Sequence, residues 1–367
     1  MTALVIAIVN VISCTSPVFA LDAAEIQERL DRYTAQENNV GALILIHQNN
    51  ADILITSGIA NSENKALIQK NSRFHIASLT KMFTAVMIYQ LVEQGRLSLD
   101  DKFIDILGDP FDGRLENYKQ TTIKMALEHS SGMADFLGYG FDAAARARHN
   151  HRWTPYEALE FAAGQPPTHK AGTAYVYNSS GYVLLGEIIK KITDNEDLNA
   201  LYNEAIFAKA SMHDTYFPKG ARPRTDELAR GYSQLTPSGG LHDVSDIQWG
   251  EYLTDGGLVS TASDLKNFFT ALFIDNSLIS QRSLDYMMGK LEPLPLYSEG
   301  GRGLMVINRH DKSHNAPWLY GHLGRYLGYR SAAFFNPENQ DMFILLANSS
   351  HFDIQKFMQE TGVLAPF

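Results

Sequence analysis

Ser78-Leu79-Thr80-Lys81 opens an apolar run through Met82, Phe83, Val86, Met87 and Tyr89 that closes at Gln94-Gly95. The spacing of the apolar residues predicts a helix, and Gly95 is a suitable residue to end it. Positions i and i+3 share a helix face, so the Lys81 ammonium can reach the Ser78 hydroxyl. The unpaired N–H groups at a helix start suit a developing oxyanion. The positive helix end and burial both disfavour a charged lysine, which predicts a lowered Lys81 pKa and a basic amine.

The spacing alone is weak: roughly one Ser-x-x-Lys arises by chance in a chain this long. Two others are present. Ser62-Glu63-Asn64-Lys65 lies in polar sequence and reads as a solvated turn. Ser263-Asp264-Leu265-Lys266 starts a second helical pattern (Leu265, Phe268, Phe269, Leu272), where capping by Thr261 or Ser263 is the plain explanation.

The 367 residues are 45% hydrophobic and 20% charged, a composition that supports a large buried core. A net charge of −10 without any basic stripe argues against nucleic acid as a partner. Met1–Ala20 is apolar, uncharged and ends Val18-Phe19-Ala20, which reads as a signal peptide for export, although no opening Lys or Arg is present. Val11-Ile12-Ser13-Cys14 also fits a lipoprotein box, with Cys14 as lipid anchor. Cys14 is the only cysteine, so residues 21–367 hold no disulfide and no thiolate site. Beyond the first 20 residues no stretch is long and apolar enough for a membrane span.

Strand patterns at Val40–Ile46 and Ile53–Ile59, joined by a hairpin at Gln48-Asn49-Asn50-Ala51, follow a first helix over Leu21–Thr34. Helical patterns dominate the middle (Thr122–Leu127, Pro155–Ala163, Tyr182–Ile192, Leu198–Ala208). Strands return at Gly303–Asn308, Ser331–Phe335 and Met342–Ala347, before a last helix at Ile354–Glu360. The expected fold class is α+β. It comprises one antiparallel sheet from the chain's two ends (about 21–80 and 255–367) and an inserted helical region (about 81–254), with Ser78 at the cleft between them.

Two further segments carry polar groups at element junctions. In Tyr175-Val176-Tyr177-Asn178-Ser179-Ser180-Gly181, a tyrosine beside a lysine charge can relay a proton, although buried tyrosines are more often merely satisfied core residues. Tyr320-Gly321-His322-Leu323-Gly324 has glycines that permit close backbone approach, or simply forms a glycine-rich turn. The histidine pairs His149/His151 and His310/His314 lack the carboxylates of zinc motifs. No metal and no cofactor is expected.

Together these segments resemble the serine β-lactamase-like superfamily, which holds class C β-lactamases, secreted D,D-peptidases, D-amino-acid peptidases and esterases. The resemblance runs in order through Phe74–Lys81, Gly95–Asp101, His129-Ser130-Ser131-Gly132-Met133, Tyr177–Gly186, Gly256–Leu265 and His322-Leu323-Gly324. It implies that Ser78 is the acylated nucleophile, Lys81 its activating base or charge, and Tyr177 the proton relay. It places Ser179, His322, Leu323, Gly324 and Arg325 at the substrate, with the N–H groups of Ser78 and Arg325 as the oxyanion hole.

Two positions depart from the family pattern. Ser179 stands where asparagine is usual, which shortens the reach of the second motif. Leu323 replaces a hydroxyl residue and His322 a lysine, a change that disfavours carboxylate-bearing β-lactams and suits an ester or uncharged substrate. The expected function is that of an exported serine hydrolase, periplasmic or secreted. It works through an acyl-enzyme on a D-amino-acid peptide, a β-lactam or a carboxylic ester. The expected substrate is a small molecule or a peptide such as a cell-wall fragment, and the expected state is a monomer. The alternative is a penicillin-binding sensor that acylates without turnover.

Overall fold

The computed structural model describes residues 22–36, 40–138, 140–218, 228–236, 239–247, 250–290, 300–308 and 318–362. Met1–Ala20, Cys14 and the pair His310/His314 lie outside them.

Asn49 and Asn50 both adopt positive φ (53° and 60°), which gives the two-residue turn whose twist suits a hairpin. It joins β1 (Gly41–Gln48) to β2 (Ala51–Asn61) with Gln48 opposite Ala51. The short β3 (Ala66–Leu67) pairs with β2. The C-terminal part adds β4 (Gly300–Gly301), β5 (Leu304–Asn308), β6 (Trp318–Tyr326), β7 (Tyr329–Phe335) and β8 (Met342–Ala347). One antiparallel sheet results, in the order β3-β2-β1-β8-β7-β6-β5-β4. The two ends of the chain meet where β1 pairs β8, Ala42 opposite Ala347. This is the α+β arrangement the two sets of strand patterns predict.

Both faces of this sheet are covered, which explains why β1 and β8 read as continuous apolar runs. Ala42, Ile44, Ile46, Phe343 and Leu345 turn to one face, where α1 (Ala23–Thr34) supplies Ile26, Leu30 and Tyr33. The C-terminal helix, Ile354–Glu360, adds Phe357 and Met358 there. Leu43, Leu45, Ile344 and Leu346 turn to the other face and join the larger core. At its centre runs α2 (Thr80–Glu93), buried on every side from Thr80 to Leu91. A helix apolar all round belongs inside a domain. Against it pack α3 (Ser179–Thr193) and α4 (Ala262–Phe269).

Most predicted elements coincide with observed ones, and two differ. The Pro155–Ala163 pattern is helical only over Pro155–Leu159. β6 is a strand where the sequence suggests a glycine-rich turn ahead of a strand from Ser331. Glycine weakens a β pattern, yet here close packing demands it: a Cβ on Gly321 would lie 1.9 Å from the Ala333 carbonyl oxygen.

Candidate active site

Ser78 sits in a single 3-10 turn, Ala77–Leu79, that feeds α2. Ala77 holds φ at +51°, a left-handed conformation that costs a non-glycine residue about 1 kcal/mol or more. Surrounding bonds fix it. Ile76 N–H donates to Leu258 O (3.0 Å), Ser331 Oγ donates to Ile76 O (2.7 Å), and Thr80 Oγ1 donates to Ala77 O (2.7 Å). β6 presses against the same turn through Gly324, where a Cβ would lie 2.6 Å from Ile76 O and 3.0 Å from Ala77 Cβ. Ser78 is thereby held between the helix start and the strand.

Lys81, one turn on, is fully buried. Its ammonium donates to Ser78 Oγ (3.3 Å), Ser179 Oγ (3.3 Å) and the Asp255 carbonyl (2.8 Å). The Asp255 carboxylate is 3.8 Å away. Burial pulls the ammonium's pKa down, but Tyr177, Asp255 and Asp135 outweigh it, and the net direction is up. The expectation of a lowered lysine pKa is therefore corrected. The helix end and burial do act as expected, but two carboxylates surround the ammonium, and the resting Lys81 is a charge rather than a free base.

Tyr177 lies just before α3. Its ring is stacked at 4.4 Å on His129 and carries the Lys81 ammonium 4.9 Å from its centroid, with the His322 ring at 6.0 Å. The Tyr177 hydroxyl is buried and makes no close hydrogen bond among the described residues, although it stands near enough to the Lys81 ammonium to favour its charge. His129 itself adopts φ +54°, and its Nδ1 lies 3.1 Å from both the N–H and the carbonyl oxygen of Asn178. Burial and then the Lys81 charge hold His129 well below the usual histidine range.

Asn178 cannot stand in for the usual asparagine. Its Oδ1 caps α3 by accepting Gly181 N–H (2.8 Å), and its Nδ2 donates to Met133 O (2.9 Å). Ser179, the first residue of α3, faces Lys81 instead, and its N–H donates to Asp135 Oδ2 (2.8 Å).

His322 and Gly324 face the core side of β6, whereas Leu323 packs on the opposite cluster and its N–H meets Met305 Sδ at 3.4 Å. The strand's alternation thus moves Leu323 away from the cavity, and its expected contact with substrate is corrected. Burial and the Lys81 charge push His322 down to about 3, so the ring is neutral near pH 7. Its Nδ1 lies 2.5 Å from Leu323 O, which fixes the proton there and leaves Nε2 as the acceptor. The third motif supplies no cation.

A cavity of about 560 Å³ opens at Ser78. Asp255, Gly256, Phe136, Tyr326, Arg325 and Arg330 are among its walls. Arg325 and Arg330 are opposite each other on β6 and β7. Burial and the neighbouring Arg325 lower Arg330 to about 10. The structure thus gathers Ser78, Lys81, Tyr177, Ser179 and His322 around one point, with Arg325 on the cavity wall. The sequence reading does not single out Asp135 or Asp255. Asp255 directly precedes the matched Gly256-Gly257 pair, and Asp135 follows Met133 by two positions, so adjacency to those motifs was the available signal.

The competing Ser-x-x-Lys pairs take other roles. Ser62–Lys65 forms a turn beyond β2, and Thr261 caps α4 by accepting Asp264 N–H. His151 lies 3.3 Å from Glu157. Among the described residues no three His, Cys, Asp or Glu side chains form a metal cluster, and no helix is long and apolar enough to cross a membrane.

The chain is similar to proteins of known kind. Penicillin-binding protein 4* of Bacillus subtilis (strain 168) is 26% identical over 313 residues, covering 79% of this chain and 64% of that protein, so the chain spans less than two thirds of that relative. A D-stereospecific amidohydrolase from Streptomyces sp. shares the fold at 23% identity, with a TM-score of 0.79 over 93% of this chain and 98% of the other. The D-amino acid amidase of Ochrobactrum anthropi SV3 is 25% identical, with a TM-score of 0.76 over 94% and 97% of the two chains. The family model described as Beta-lactamase matches residues 26–360. With Lys81 touching Ser78 beside the Tyr177 ring and this match across nearly the whole chain, the protein belongs to the Beta-lactamase family.

Proposed function

We propose that the protein cleaves an amide bond through an acyl-enzyme on Ser78, with a D-configured amino-acid residue as the acyl group. The observation that carries this reading is the contact set of Lys81, which touches Ser78 Oγ and Ser179 Oγ and lies against the Tyr177 ring. Ser78 Oγ attacks the carbonyl carbon, and the ammonium of Lys81 stabilises the charge that develops on oxygen. The proton leaving Ser78 passes through Tyr177 to the departing nitrogen as the C–N bond breaks. Water then attacks the ester carbonyl, one of its protons passes through Tyr177 to the departing Ser78 Oγ as the ester bond breaks, and the acid is released. The N–H groups of Ser78 and Arg325 serve as oxyanion donors.

An amide of a D-amino acid is favoured over a β-lactam for two reasons. The neutral His322 offers no cation to the β-lactam carboxylate, which leaves it only Arg325 and Arg330 on the cavity wall, and Leu323 faces away from the cavity. The D-amino acid amidase at 25% identity supports the same choice. A fluorophosphonate probe tests the acyl-enzyme: labelling is expected in the wild type and absent in Ser78→Ala. A substrate panel of D- and L-phenylalanine amides, a D-Ala-D-Ala peptide and nitrocefin tests the acyl group. Faster release from the D-amide supports the assignment. Turnover of nitrocefin with no D-amide cleavage overturns it, and labelling that persists in Ser78→Ala overturns the nucleophile.

A further inference from the structure

We infer that the Asp255 carboxylate is the recognition point for a free ammonium group on the acyl side of the substrate, so that the enzyme prefers amides of unblocked amino acids. The inference rests on the acyl-enzyme reading above and adds the chemical class of the acyl group.

Asp255 is held in place from both sides. Thr84 Oγ1 on α2 donates to the Thr254 carbonyl (2.7 Å), and Thr254 Oγ1 donates to the Tyr182 carbonyl of α3 (2.7 Å). Its side chain is only 8% exposed, yet the residue lines the cavity beside Ser78. Oδ2 faces Lys81 and the Ser179 hydroxyl interacts with the carboxyl, whereas Oδ1 is buried and makes no close hydrogen bond among the described residues. A buried acceptor without a donor is costly and calls for a donor from the ligand.

Local charge says which donor. Two carboxylates, Asp255 and Asp135, surround the single ammonium of Lys81. Asp135 already accepts the N–H groups of Ser179 (2.8 Å) and Leu137 (3.1 Å), so the unmet oxygen belongs to Asp255. A second ammonium balances the group, and a neutral N–H does not. Reach is sufficient: steps of 3.3 Å and 3.8 Å connect Ser78 Oγ through Lys81 Nζ to the Asp255 carboxylate. An α-amino nitrogen stands two bonds from the carbonyl oxygen's carbon, within that span.

The test compares kcat/KM for D-alanine p-nitroanilide, its N-acetyl derivative and propionyl p-nitroanilide. The free amine is expected to exceed both others by about tenfold or more. That preference should fall above pH ~8, where an α-amino group loses its proton. Asp255→Asn should shrink the free-amine to N-acetyl ratio about tenfold, whatever it does to the absolute rates. A second measurement needs no variant: D-phenylalanine amide should protect wild-type Ser78 from fluorophosphonate better than 3-phenylpropionamide does. Equal rates for free and acetylated substrates, an unchanged ratio in Asp255→Asn, or equal protection overturns the inference. Absence of fluorophosphonate labelling in the wild type instead overturns the acyl-enzyme reading beneath it.

Discussion

The Lys81 ammonium lies 3.8 Å from the carboxylate of Asp255 and 2.8 Å from the same residue's carbonyl oxygen. Both side chains are buried, and a buried pair that loses one partner leaves a bare charge. Lys81→Met should therefore lose acylation and also lower stability by about 3–5 kcal/mol. Adding Asp255→Asn to Lys81→Met should restore much of the stability and none of the acylation. Urea unfolding of the two single variants and the double variant measures this coupling. Additive losses would show that the two groups do not interact.

Gly324 is where the sheet touches the nucleophile turn. A Cβ there would lie 2.0 Å from Ser331 Oγ and 2.6 Å from Ile76 O, and Ser331 Oγ is the group that donates to Ile76 O. Gly324→Ala must therefore break that bond or push β6 off the turn. The expected cost is about 1–3 kcal/mol, as for an overpacked core, together with loss of most acylation by a fluorophosphonate. A variant that labels at the wild-type rate would show that the turn does not depend on this contact.

Fold and site were legible to different degrees. Apolar runs at the two chain ends betrayed β1 and β8 because each is buried on two faces, whereas the half-exposed β2 was marked by its β-branched residues and the hairpin turn ahead of it. β6 was hidden because Gly321 and Gly324 serve close approach and carry no side-chain pattern. Ser78 and Lys81 were legible because helix geometry ties i to i+3. The charge state of Lys81 was not, because it is set by Asp135 and Asp255, which stand 54 and 174 positions away and reach it only through the fold. The direction of Leu323 likewise depended on the phase of a strand that its glycines concealed.

Burial keeps His322 at about 3, well below an unfolded histidine near 6.5. Between those values the unfolded chain holds a proton that the folded chain does not, so stability falls as pH drops from 6.5 toward 3. His129 acts in the same direction. Asp135 and Asp255 are raised by burial, and their contribution runs the opposite way, fading as pH rises through their folded values. Comparison with His322→Asn isolates one group. Between pH 7.5 and 5 the wild type should lose about 2 kcal/mol more than the variant in urea unfolding. Equal losses would mean that His322 is protonated in the fold or solvated.

Tyr177 separates chemistry from stability most cleanly. Its ring is held by His129 on one face and by the Lys81 ammonium, so the ring supports packing. Its hydroxyl makes no close hydrogen bond among the described residues and interacts chiefly with the Lys81 ammonium. Tyr177→Phe keeps the ring and removes only the oxygen. Stability should change by less than about 1.5 kcal/mol, because at most one loosely formed contact with Lys81 is lost. The kcat should fall about 10²–10⁴-fold, the usual loss when a positioned proton carrier is removed. A fluorophosphonate, whose leaving group needs no proton, should still label Ser78 in this variant at a rate reduced less than amide turnover. Loss of stability without loss of kcat would assign Tyr177 a packing role and return the proton transfer to Lys81.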